Sequence, residues 1–177
     1  MLQKIKSFLS KDNHAQWCVF FLFVFTIFVK GVLFHWNCFH SVLISSLWHT
    51  PAEFFRFWGG KLVPALFIGS FVFLTKKNWW TIVVNVIADI WLIANMFYFK
   101  ANSLFLSYET MQMADNMSGF WSSLYSYLGW DIYIYLVITI LYAIFHLPFR
   151  KVINKRSIVK FAFVFAFSII LSIVDNV

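Results

Sequence analysis

The sequence predicts an all-α membrane protein. It reads as a five-helix transmembrane bundle, with N-terminus cytoplasmic, C-terminus extracytoplasmic, and short amphipathic interfacial helices in both outer loops. Three observations predict this. Hydrophobic residues make up 62% of the 177 positions and charged residues 12%, against about 45–50% and about 25% in an average soluble domain. Apolar runs recur at about the 20-residue length that crosses a bilayer. Lys and Arg gather in alternate loops, as orientation in a membrane demands. A globule this small cannot hide so much apolar surface from water, so a soluble enzyme, a disordered chain and a disulfide scaffold are excluded. The net charge of +7 comes from 14 basic residues spread along the chain. They form no basic patch of the kind nucleic acid requires and are read as topology.

The first span covers about residues 17–36, from Trp17 to Trp36, with Lys30 as its internal charge. Lys4, Lys6 and Lys11 precede it like the basic start of a signal peptide, but the apolar run is too long and no small-residue cleavage site follows. The second span, about 61–75, is short and carries Pro64 and Gly69, which membrane helices tolerate better than soluble ones. The third, 79–99, holds Asp89 near its middle. The fourth, 132–147, ends at Pro148, and the fifth, 158–174, is rich in Phe and Ile. Lys76 and Lys77 lie between the second and third spans; Arg150, Lys151, Lys155 and Arg156 lie between the fourth and fifth. The other two loops mix Arg56, Lys61 and Lys100 with Glu53, Glu109, Asp115 and Asp131. This alternation sets the orientation.

The outer loops span 37–60 and 100–130. In the first, Thr50-Pro51-Ala52-Glu53 reads as a helix start, with a capping hydroxyl, proline in the first turn and an acid three residues after the cap. Phe54, Phe55, Phe57 and Trp58 follow, with Gly59-Gly60 as the expected stop. In the second, Met113, Met117, Phe120, Trp121, Leu124 and Leu128 recur at helical spacing around Gly119. Two readings stay open there: interface helices that only pack, or a platform that shapes a lipid-facing groove.

An acid at mid-bilayer costs a few kcal/mol and faces the bundle interior or a partner. Asp89 has Asn85 one turn before it, and Asn95 further toward the outer end. Lys30 stands at a height its flexible stem can bridge to Asp89, or from which it can reach headgroups. Asp89, Lys30 and Asn85 therefore form a candidate intramembrane polar pair with its neighbour. Its roles are to fix helix register or to relay a proton. Lys30, Arg56 and Lys61 are candidate lipid-headgroup contacts, with anionic phospholipid as the expected partner.

Catalytic machinery is not legible. The five histidines, His14, His35, His40, His49 and His146, do not converge with Cys38 in a zinc spacing. Cys18 and Cys38, about 30 Å apart on one helix, cannot pair within the chain. No nucleophile–base pair, metalloprotease motif or phosphate loop is present. No cofactor is expected in this chain.

Several stretches carry a resemblance. They are Ala88-Asp89-Ile90-Trp91 through Asn95-Met96-Phe97-Tyr98-Phe99, then Ser103-Leu104-Phe105-Leu106-Ser107, Asn116 to Tyr127 before Trp130-Asp131, and Phe57-Trp58-Gly59-Gly60-Lys61. With the five-span topology, they resemble the N-terminal transmembrane domain of lipoteichoic acid synthase-like proteins, along nearly all of the chain. Where members often have an acid after that glycine, this chain has Leu62-Val63-Pro64, so no role of that acid carries over. The resemblance implies a bacterial cytoplasmic (inner) membrane protein. It also implies an extracellular sulfatase-fold domain in cis that moves phosphoglycerol or phosphoethanolamine with a divalent metal such as Mn, Mg or Zn. None of those catalytic residues is in this chain, which is expected to be the membrane part of a longer enzyme. The alternatives are a small transporter or flippase coupled through Asp89 and Lys30, and a structural subunit packing through Ala162 and Ala166. The transporter reading lacks an inverted repeat.

Overall fold

The computed structural model describes residues 12–46, 51–107, 129–149 and 156–175. They form five α-helices and no strand: α1 (Asp12–Ser46), α2 (Pro51–Ser70), α3 (Trp80–Asn102), α4 (Trp130–His146) and α5 (Ile158–Asp175). Short 3-10 turns at Phe71–Phe73 and Leu147–Phe149 close α2 and α4. Three segments are long and apolar enough to cross a membrane: His14–Phe39, Trp80–Asn102 and Trp130–Phe149. Phe57–Phe73 and Ile158–Ile173 are apolar but shorter.

Two expectations about the first outer loop are corrected. The first helix does not end at Trp36 but reaches Phe39, where a non-helical residue (φ −128°, ψ 33°) joins it to a second helical stretch ending at Ser46, both within α1. The interfacial helix does begin at Pro51, but Gly59-Gly60 do not stop it. It runs on through Pro64 as one helix with the expected second span. Glycine costs only about 1 kcal/mol in a helix interior, and packing on both sides of the pair outweighs this. Trp58 stacks on Phe28 of α1 with ring centroids 5.6 Å apart, and Phe57 meets His35 edge-on at 4.9 Å. The interfacial helices expected around Met113 to Leu128 lie outside the described residues.

Lipid is as apolar as leucine, so helices in it associate through close packing and interhelical hydrogen bonds. Here α1 is the axis of the bundle: it touches α2, α3 and α4, while α5 packs on α2. One core joins Val19, Phe20 and Val24 of α1 to Ala65 of α2, Val72 and Phe73 of the first turn, and Val164 of α5. Gly69 makes this approach close: a Cβ there would stand 2.6 Å from Val24 Cγ2. A second core joins Met96 and Phe97 of α3 to Ile132 and Tyr135 of α4, against Leu33 and Phe34 of α1.

The end of the bundle where α1 begins is tied by hydrogen bonds to backbone carbonyls. Ser157 N–H donates to the Phe73 carbonyl at 2.9 Å, Asn78 Nδ2 to the Phe149 carbonyl at 3.4 Å, and Gln16 Nε2 to the Val72 carbonyl at 3.3 Å. At the opposite end α3 closes on Ser103, which takes a left-handed conformation (φ 57°) so that its N–H reaches the Phe99 carbonyl. The chain then turns back. Asn95 Oδ1 accepts the Leu106 N–H at 3.1 Å, and Phe105 stacks on Phe99 at 4.9 Å.

Candidate functional site

Polar residues follow a helical stripe along α3 and its preceding turn: Asn78, Thr81, Asn85 and Asp89, all buried. A matching stripe on α4 holds Tyr135, Thr139, Tyr142 and His146. From α1, Gln16, Phe23, Lys30 and Asn37 recur at steps of about two helical turns, so they share one face. The three stripes meet in a polar seam inside the bundle.

Its centre is Lys30, only 1% exposed. The ammonium Nζ stands 2.6 Å from Asp89 Oδ1. It also donates to Thr139 Oγ1 at 2.6 Å, Asn85 Oδ1 at 2.9 Å and the Asn85 carbonyl at 3.2 Å. The pattern is self-consistent: Thr139 accepts from Lys30 and donates its own hydroxyl hydrogen bond to Asp89 Oδ2. Asn85 donates through Nδ2 to the Thr81 carbonyl at 3.1 Å, which turns its oxygen toward Lys30. Asp89 thus receives an ion pair from α1 and a hydrogen bond from α4, which is how a buried charge is compensated.

The seam extends toward both ends. On the side where α3 begins, Tyr142 donates to Thr81 Oγ1 at 2.7 Å and Thr81 donates to the Asn78 carbonyl at 2.6 Å. The Tyr142 ring lies 5.7 Å from His146, whose Nε2 has no hydrogen-bond partner among the described residues. On the other side Asn37 Nδ2 reaches Tyr135 Oη at 3.4 Å. Sequence reasoning missed Thr139, Thr81, Tyr142, Tyr135 and Asn37. The signal for the first four is the i, i+3, i+4 recurrence of hydroxyl and amide residues along the third and fourth spans, and for Asn37 its place seven residues after Lys30 on the first.

The predicted site residues thus separate. Lys30, Asp89 and Asn85 come together. Lys30 as a lipid-headgroup contact does not fit this position, because its ammonium is enclosed and its donors are spent. Lys61 lies elsewhere, on α2: its stem passes Gly31 of α1, and its Nζ sits 3.6 Å from the centroid of the Phe57 ring. Arg56 belongs to α2, one turn before Gly60; its side chain lies outside the described residues. Near the α3 exit, half-exposed Lys100 pairs with Asp131 of α4.

Three helices long and apolar enough to cross a membrane, packed around a buried ion pair, are the build of a membrane domain. The chain belongs to the lipoteichoic acid synthase N-terminal domain family, whose model matches residues 1–177, the whole chain. The resemblance carried by the α3 exit and the Phe57–Lys61 segment is therefore borne out. No curated protein and no solved structure matches the chain.

Proposed function

We propose that this domain anchors a sulfatase-fold phosphotransferase or hydrolase of the cell envelope, and presents lipid to it at the outer face of the bacterial cytoplasmic membrane. The family match along the full length carries this reading. The catalytic domain, in cis, would hold the divalent metal. This chain's own contribution is position: a bundle locked by Lys30–Asp89 keeps its outer end at a fixed height. The orientation, with the start of α1 in the cytoplasm, draws support from the charges. Lys100 is neutralised by Asp131 at the expected outer end, while Lys76, Lys77 and Arg156 stand exposed at the other.

Arg56 and Lys61, on the outer part of α2, are the residues proposed to meet an anionic headgroup such as that of phosphatidylglycerol. Native mass spectrometry of wild type and R56Q/K61Q with phosphatidylglycerol tests this. The variant is expected to bind the lipid about 30-fold more weakly, at roughly 1 kcal/mol for each of the two cations. Equal retention would remove the presenting role and leave the anchoring one.

A further inference from the structure

At the end of the bundle where α1 begins, the turn between α2 and α3 and the start of α5 line an open surface groove of about 350 Å³. That is near the lower bound, roughly 300 Å³, of cavities that hold small ligands. Its polar wall is Thr75, Lys76, Lys77 and Arg156, and its aromatic wall is Trp79 and Trp80. Lys76, Lys77 and Arg156 are all exposed. Among the described residues no carboxylate pairs with any of them; the ion pairs present are Lys30–Asp89 and Lys100–Asp131. The first turn of α3, which opens beside the groove, contains no acid.

The walls are also fixed in place. The Trp80 indole donates to Thr75 Oγ1 at 2.7 Å, and Thr75 donates to the Val72 carbonyl at 3.2 Å. Ser157, next to Arg156, is bound to Phe73 through the backbone. The backbone segments that carry the three cations are thus anchored beside one groove by bonds that do not involve the cations' charges. Trp79 is 56% exposed, as indoles are where hydrocarbon meets headgroups.

We infer that this groove binds the phosphate headgroup of an anionic phospholipid from the leaflet at this end, the cytoplasmic one in the orientation proposed above. The charge complementarity is one-sided, and a bundle end lies at the height of phosphodiesters. Basic pockets between membrane helices are the structural form such lipid sites take. The site is remote from Arg56 and Lys61, which lie toward the other end of α2, so the two lipid proposals stand or fall separately.

The test uses the full chain in neutral detergent, titrated with phosphatidylglycerol or cardiolipin and followed by native mass spectrometry. K76Q/K77Q/R156Q should bind on the order of 100-fold more weakly at low salt, from three cations near the membrane surface, while R56Q/K61Q keeps this site. Excess inorganic phosphate should fail to displace the lipid. In vesicles, brominated phosphatidylglycerol should quench a fluorescence component that Trp79→Phe removes, and brominated phosphatidylcholine should not. The quenching arm reads the site in a chain that retains its cations, so it stands if the triple variant fails to fold. Unchanged affinity in a folded triple variant would overturn the inference. So would displacement by inorganic phosphate, which would mark a site for free anions, or equal quenching by both lipids.

Discussion

Lys30 is held by three side chains, and the bonds have a direction. The ammonium donates to Thr139, Thr139 donates to Asp89, and Asp89 returns charge to Lys30. Removing one partner leaves the other charge buried and uncompensated, which costs about 3–5 kcal/mol. Lys30→Met and Asp89→Leu should each lower the thermal unfolding midpoint in detergent sharply. The double variant should recover most of the loss, since a buried ion pair exchanged for apolar side chains of similar volume is often neutral. No recovery would mean that the charges do more than hold helices together. Lys30, Asp89 and Asn85 were legible in the sequence because charge and amide stand out in apolar runs. Thr139 and Tyr142 were not, because hydroxyls are common in membrane helices. Only the rotation of α4 about its axis tells an inward hydroxyl from an outward one.

At the scale of elements, α1 and α2 approach closely where Gly69 faces Val24 and Phe20. Gly69→Ala places a methyl group 2.6 Å from Val24 Cγ2, an overpacking worth about 1–3 kcal/mol. The expected result is a lower unfolding midpoint, relieved by Val24→Ala; an unchanged midpoint would show that the two helices part without cost. The helices themselves were legible from hydropathy, and the start of α2 from its proline and acid. The end of the interfacial segment was not. Gly59-Gly60 signal a stop only where nothing packs beside them, and Phe57, Trp58 and Lys61 all lie against α1.

For the whole molecule, the alternation of charge that gave the topology reappears as a difference between the two ends. One end has its cation neutralised by an acid; at the other, no carboxylate pairs with Lys76, Lys77 or Arg156 among the described residues. Cysteine labelling in a background lacking Cys18 and Cys38 tests the orientation. Ala101→Cys, at the end of α3, should react with a membrane-impermeant maleimide in intact cells. Lys77→Cys should react only after permeabilisation, and the reverse pattern would invert the bundle. Membership of the family was legible because the stretch that carries the resemblance most, Ala88 to Phe99, is continuous in sequence. The three-helix seam was not, because it depends on contacts between segments far apart in sequence.

The Lys30–Asp89 pair also sets an order of events during biogenesis. Roughly 60 residues of synthesis separate the two, several seconds at about 5–20 residues per second. For that interval α1 carries a charge costing about 2.5–3.5 kcal/mol at a helix centre. The first helix therefore becomes a settled lipid resident only when the third arrives beside it, and Thr139 completes the enclosure later still. A nascent chain cut short after α2 would present an uncompensated lysine inside the membrane, a mark by which an unfinished copy can be told from a finished one.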